Sequence, residues 1–172
     1  KEVKTLETGS TGWVMLDKTP FYATSGGQNG DIGALEDNKH IAIVEETTKF
    51  HGLNLSKVKV VNSSLKQGES VDAIVVNRNE VAKHHSATHL LQSALKIVLG
   101  DTVSQAGSLN DASRLRFDFT YPKAMTKEQI DEVEDLVNSM IARGISGNVE
   151  ELPIEQAKKK GAIAMFGEKY GD

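Results

Sequence analysis

The apolar positions of this chain follow two different periods. Up to residue 76 they fall in short runs: Gly12–Asp17, Ile32–Glu36, His40–Glu45, Val58–Val61 and Val71–Val76. Turn-forming clusters separate the runs, among them Ser25-Gly26-Gly27, Asn29-Gly30-Asp31, Glu36-Asp37-Asn38 and Lys66-Gln67-Gly68-Glu69. Several short strands at this spacing predict a small β-barrel. From Asn77 the period lengthens to three and four. Val81, His85, Thr88, Leu91, Leu95 and Val98 share one face of a predicted helix, and Gly100 is placed to stop it. Arg114–Phe119 then alternates, with Leu115, Phe117 and Phe119 on one side and Arg114, Arg116 and Asp118 on the other. Thr126-Lys127-Glu128-Gln129 has the form of a capping box and opens a second helix carrying Ile130, Val133, Val137, Met140 and Ile141. A short strand over Asn148–Leu152 and a helix opened by Pro153 complete the pattern. The expected fold is α+β. A β-barrel subdomain spans residues 1–76, and a part with helices packed on an antiparallel sheet spans residues 77–172.

Composition narrows the chemistry more than the fold. With 172 residues, 38% hydrophobic and 26% charged, the chain is large enough to bury a core without cross-links. It has no Cys, which excludes a disulfide scaffold, a thiol nucleophile and a cysteine-based zinc finger within these residues. A net charge of -4 argues against a strongly cationic nucleic-acid module, while leaving room for local RNA contact. No apolar run approaches the roughly 20 residues of a membrane span, and no signal-peptide pattern opens the chain. Since it starts at Lys1 rather than Met, it reads as a piece of a longer soluble, intracellular protein.

Three segments carry candidate chemistry. His85 and His89 are four apart on the predicted helix, so both imidazoles can reach one tetrahedral cation such as Zn²⁺. Two ordinary helix histidines are the plainer alternative, but His85 lies in the apolar stripe, where a polar ring needs a partner. The residue after His85 is Ser86, not the general-base Glu of a zincin. The second segment, Thr24–Asp31, contains Gly26, Gly27 and Gln28. Paired glycines make a tight turn or present backbone N–H groups to an anion or ribose. The third is Val103–Leu109. Gln105 there can orient a water or an amine, or simply face solvent. Arg114, Arg116 and Asp118 more readily pair with each other than face phosphates. Lys158-Lys159-Lys160 reads as a solvated helix face.

Taken together, these segments resemble the editing domain of alanyl-tRNA synthetases. Phe21-Tyr22-Ala23-Thr24-Ser25-Gly26-Gly27-Gln28 is similar to the family's Phe-Tyr-x-x-x-Gly-Gly-Gln segment. His85-Ser86-Ala87-Thr88-His89-Leu90-Leu91 matches its histidine motif. Val103–Leu109 with Arg114–Phe119 matches the next block, and Phe166–Asp172 a last one. The resemblance implies an editing core that hydrolyses the ester of tRNA(Ala) mischarged with serine or glycine. It implies zinc held by His85 and His89 plus a Cys-x-x-x-His motif that does not occur in this sequence. It further implies Thr88 and Gln105 as catalytic residues, with Gly26, Gly27, Gln28, Ser108 and Arg116 contacting the substrate. The parent enzyme would attach alanine to tRNA(Ala) with ATP and Mg in a separate aminoacylation domain, in the cytoplasm. Its partners would be the tRNA(Ala) 3′ end and the rest of the synthetase, with no membrane. The competing readings are a non-catalytic tRNA- or metal-binding module of the same synthetase and a standalone trans-editing deacylase. Editing itself has a chemical motive. Serine differs from alanine by one hydroxyl and glycine by one methyl, too little for a single pocket to reject.

Overall fold

The structure is a computed structural model that describes residues 2–38, 41–148 and 150–161. The chain is mixed α and β, as the change of period predicts. Its strands are β1 (Thr5–Leu6), β2 (Thr11–Val14), β3 (Gly33–Glu36), β4 (Ile41–Phe50), β5 (Leu53–Asn62), β6 (Leu65–Lys66), β7 (Asp72–Val75), β8 (Ser104–Asn110) and β9 (Leu115–Thr120). Its helices are α1 (Arg78–Leu99), α2 (Lys127–Ala142) and α3 (Ile154–Lys159). Two compact units form. The first draws its described residues from 1–89 and 106–119, and the second from 90–105 and 120–172.

A five-stranded antiparallel sheet, in the order β2-β5-β4-β3-β7, dominates the first unit. Among the described residues no pairing joins β2 to β7, so these two strands are its edges. Register sets the core. Ala42 lies opposite Val60, Val44 opposite Val58, and Leu35 opposite Ala42. These residues, with Phe21 and Leu65, form the buried cluster, and Leu6, Val14, Leu16 and Val75 pack against it. The other face of the same strands leaves Ile41, Ile43 and Ile74 exposed.

The long β4–β5 hairpin exceeds what the apolar runs suggest. Glu45–Phe50 is mostly polar, so alternation alone does not extend the strand there. The ladder reaches Phe50 opposite Leu53 because His51 and Gly52, at φ 48° and 82°, make the two-residue turn between them. Positive φ at both turn residues matches the twist of the flanking strands. A bulge between Val44 and Glu46 resets the alternation, so Thr47 points inward and is fully buried. That reset matters for the site, because Thr47 is where the glycine-rich segment anchors.

In the second unit Ala94, Leu95, Val103 and Val133 are buried. The α2 capping box forms as the sequence predicts. The Thr126 hydroxyl accepts from the Gln129 backbone N–H, and the Gln129 side chain accepts from the Thr126 N–H. Pro153 precedes α3 as expected. The strand expected over Asn148–Leu152 does not appear among its described residues. Asn148, Glu150 and Glu151 are exposed and Leu152 is half-buried, and Val149 lies outside the described residues. So do His40 and the Phe166–Asp172 segment. Lys158 and Lys160 are exposed and pair with Glu155 and Glu150. No described helix is long and apolar enough to cross a membrane.

Candidate functional site

The glycine-rich segment is a tight turn with a further task. Gln28 N donates to the Ser25 carbonyl at 2.9 Å and Ser25 N to the Gln28 carbonyl at 3.1 Å, closing a turn through Gly26 and Gly27. Both glycines have positive φ, 56° and 77°. Gly27 also lies flush against β8. A Cβ added there would sit 2.1 Å from Ser108 Oγ and 2.7 Å from the Ser108 carbonyl oxygen. Asn110 N donates to the Gly27 carbonyl at 2.7 Å, and Asn29 N to the Asn110 carbonyl at 2.9 Å. The turn is thereby fastened to the end of β8.

On its other side the segment is fastened to β4. Thr24 N donates to the Thr47 carbonyl at 3.0 Å, and the Thr47 hydroxyl donates to the Asp31 carbonyl at 2.9 Å. Asp31 is fully buried. Its Oδ2 accepts the Tyr22 N–H at 2.7 Å and pairs with the Arg78 guanidinium, which also donates to the Pro20 carbonyl. Arg78 begins α1, so this ion pair ties the glycine-rich segment to the helix that carries the histidines. A lone carboxylate in a turn gives no sign that folding will bury it.

On α1 the predicted stripe is the inward face. Val81, Thr88 and Leu95 are buried, His85 is half-buried, and His89 is exposed. The His85 and His89 rings stack with centroids 5.0 Å apart and planes at 25°. His85 Nδ1 lies 2.7 Å from Gln28 Oε1. A carboxamide oxygen only accepts, so Nδ1 carries the proton and the Nε2 lone pair is left free. His84 donates from Nδ1 to the Asp111 carbonyl at 2.9 Å. Thr88 has one hydroxyl proton and two internal acceptors, the His84 carbonyl at 2.9 Å and Asn110 Oδ1 at 2.7 Å. Toward any ligand Thr88 therefore offers only lone pairs. Asn110 is 1% exposed, and its Nδ2 has no hydrogen-bond partner among the described residues. This inward-facing asparagine has no signal in the sequence, because it ends a strand of small and polar residues.

Of the expected site residues, hydrogen bonds join His85 to Gln28 and, through Asn110, Thr88 to the turn of Gly26 and Gly27, while Ser108 lies against Gly27 and His89 stacks on His85. Arg116 is engaged elsewhere, donating from Nε to Asp118 Oδ2 at 3.2 Å, so the internal pairing expected for this strand face is present. Gln105, on β8, belongs to the second unit, where its side chain is half-buried.

The donors fit half of a zinc shell. Two imidazoles four residues apart, one held in a fixed tautomer with Nε2 free, are what a borderline cation takes. Among the described residues no third His, Cys, Asp or Glu joins them. Burial, with a smaller contribution from His89, holds His85 below the ordinary histidine value of 6.5. The unfolded chain therefore binds this proton at a higher pH than the folded one, and stability falls as pH drops below about 6.5. Urea unfolding of the metal-free chain between pH 7.5 and pH 5 should show this slope, and His85→Phe should flatten it.

Comparison with known proteins gives the context of this site. A family model described as "tRNA synthetases class II (A)" matches residues 1–79, the strand-rich part and the first residues of α1. The matched stretch is similar to class II tRNA synthetases. It is 98% identical over its whole length to an alanine–tRNA ligase of Aliarcobacter butzleri, covering 20% of that protein. It is 56% identical over 97% of its length to the alanine–tRNA ligase of Sulfurimonas denitrificans, covering 19%, and 53% identical over its full length to that of Helicobacter pylori, covering 20%. The chain belongs to the alanine–tRNA ligase family and spans about one fifth of the length of these relatives.

Proposed function

We propose that this segment carries the editing site of its synthetase and hydrolyses the ester of tRNA(Ala) mischarged with serine or glycine. The whole protein would attach alanine to tRNA(Ala) with ATP and Mg in another domain, in the cytoplasm. The observation that carries the reading is the convergence of the glycine-rich turn and the end of β8 on His85 and Thr88, with His85 presented as a neutral ligand. Zinc held by His85 and His89, with ligands from outside the described residues, would supply a Lewis acid for a water or a grip on the tRNA 3′ end. The chain's own residues do the rest. Thr88 accepts a hydrogen bond from the attacking water or the seryl group. Gln105 orients the aminoacyl moiety. Gly26, Gly27, Gln28 and Ser108 bound the terminal adenosine, and Arg116 contacts the substrate if its pairing with Asp118 opens. Water adds to the ester carbonyl, and the ribose oxygen departs with a proton, leaving free amino acid and uncharged tRNA.

A tRNA-contacting module without turnover is the second reading. One experiment separates the two. Serine release from Ser-tRNA(Ala) by the intact synthetase is measured with and without His85→Ala, alongside alanylation. Loss of serine release by about 100-fold or more, the scale of losing metal-assisted chemistry, with alanylation intact supports editing. Unchanged release leaves the segment as a binding module.

A further inference from the structure

The structure assigns Gln28 a role beyond bounding a nucleotide. We infer that Gln28 is a positioning residue for a metal at His85, its carboxamide oxygen holding the imidazole in the Nδ1–H form with Nε2 turned outward. The inference rests on the metal reading above and adds the residue that makes His85 a competent ligand.

Three observations carry it. The contact is short, 2.7 Å from Oε1 to Nδ1, and spans 57 positions of sequence, so it is a product of the fold rather than of helix geometry. Gln28 is 9% exposed, so little water competes for its oxygen. Its backbone is clamped by Ser25 within the turn, and its neighbours Gly27 and Asn29 are both bonded to Asn110, so the acceptor is delivered from a fixed point. The chemistry then has a sign. An acceptor at Nδ1 places the ring proton there and raises the donor strength of Nε2. A donor at Nδ1 would move the proton to Nε2 and abolish the ligand. Packing Gly27 against Ser108 is what sets Gln28 at this distance. Gly27 is thus part of what supports the Gln28–His85 contact.

The test is zinc affinity of the intact synthetase by chelator competition, comparing wild type with His85→Ala, Gln28→Leu and Gln28→Glu. Gln28→Leu removes the acceptor at similar volume and should weaken zinc binding by about 10- to 100-fold, the usual cost of losing such a partner. Gln28→Glu can only accept, so it should bind zinc at least as tightly as wild type. A purely structural role for Gln28 would not produce that opposite pair. Gln28→Leu within twofold of wild type, or Gln28→Glu weakened tenfold, overturns the inference while leaving the metal reading in place. Should Gln28→Leu fail to fold, Gln28→Glu decides alone. If His85→Ala itself leaves zinc affinity unchanged, the metal reading falls and takes the inference with it.

Discussion

Gly27→Ala should cost both stability and editing, by separating the glycine-rich turn from β8. Two effects add. A Cβ at φ 77° meets its own backbone, a penalty of about 1–2 kcal/mol. The same Cβ would lie 2.1 Å from Ser108 Oγ and 2.7 Å from a backbone carbonyl, and relieving such overlap typically costs about 1–3 kcal/mol. The sum, about 2–5 kcal/mol, should appear in urea unfolding of the chain followed through Trp13, its one tryptophan. Adding Ser108→Ala removes the nearer clash but not the carbonyl, so it should recover part of the loss. In the intact synthetase, serine release should fall with Gly27→Ala while alanylation holds, since the displaced turn carries Gln28 away from His85. A variant as stable and as active as wild type would show that the turn and β8 are not held together as described.

Arg78→Met should be comparably damaging to stability for an electrostatic reason. Asp31 has a fully buried carboxylate, and its only cation among the described contacts is Arg78, itself about half exposed. Removing that cation leaves a buried charge with one backbone N–H and one unbonded oxygen. Breaking one side of a buried pair costs about 3–5 kcal/mol, and the half-exposed guanidinium puts this case near the lower figure. Asp31→Asn in the Arg78→Met background removes the stranded charge and should return much of the loss. Unfolding midpoints of the four proteins form the cycle that measures the coupling. A coupling near zero would mean that the pair does not latch the glycine-rich segment to α1.

The two variants act on two of the three fastenings of one loop, those to β8 and to the start of α1, the third being to β4. Their effects differ in kind. The Gly27 contact sets where Gln28 lies, whereas the Asp31–Arg78 pair sets whether loop and helix stay together. Salt should therefore modulate the second variant's cost more than the first, although burial of Asp31 limits the screening.

Local signals in the sequence determined most of the elements. The α1 stripe, the alternation of β9, the capping box at Thr126 and Pro153 before α3 depend on neighbours within a few residues, and each forms as expected. The histidine pair was legible for the same reason, since four-residue spacing on a helix is a local fact. Tertiary structure decided the rest. The β4–β5 hairpin extends through a polar stretch because cross-strand pairing and the His51-Gly52 turn outweigh a weak apolar pattern. The bulge at Glu45 turns Thr47 inward, which no alternation rule foresees. Whether His85 is a ligand-competent tautomer depends on Gln28, 57 positions away, and whether Asp31 is buried depends on Arg78. Contacts of that kind cost chain entropy that only the assembled core offsets, so they leave no periodic trace in the sequence. Several residues of the candidate site could be named from their order along the chain, but Asn110 could not. Their hydrogen-bonded arrangement could be read only once distant segments had been brought to one place.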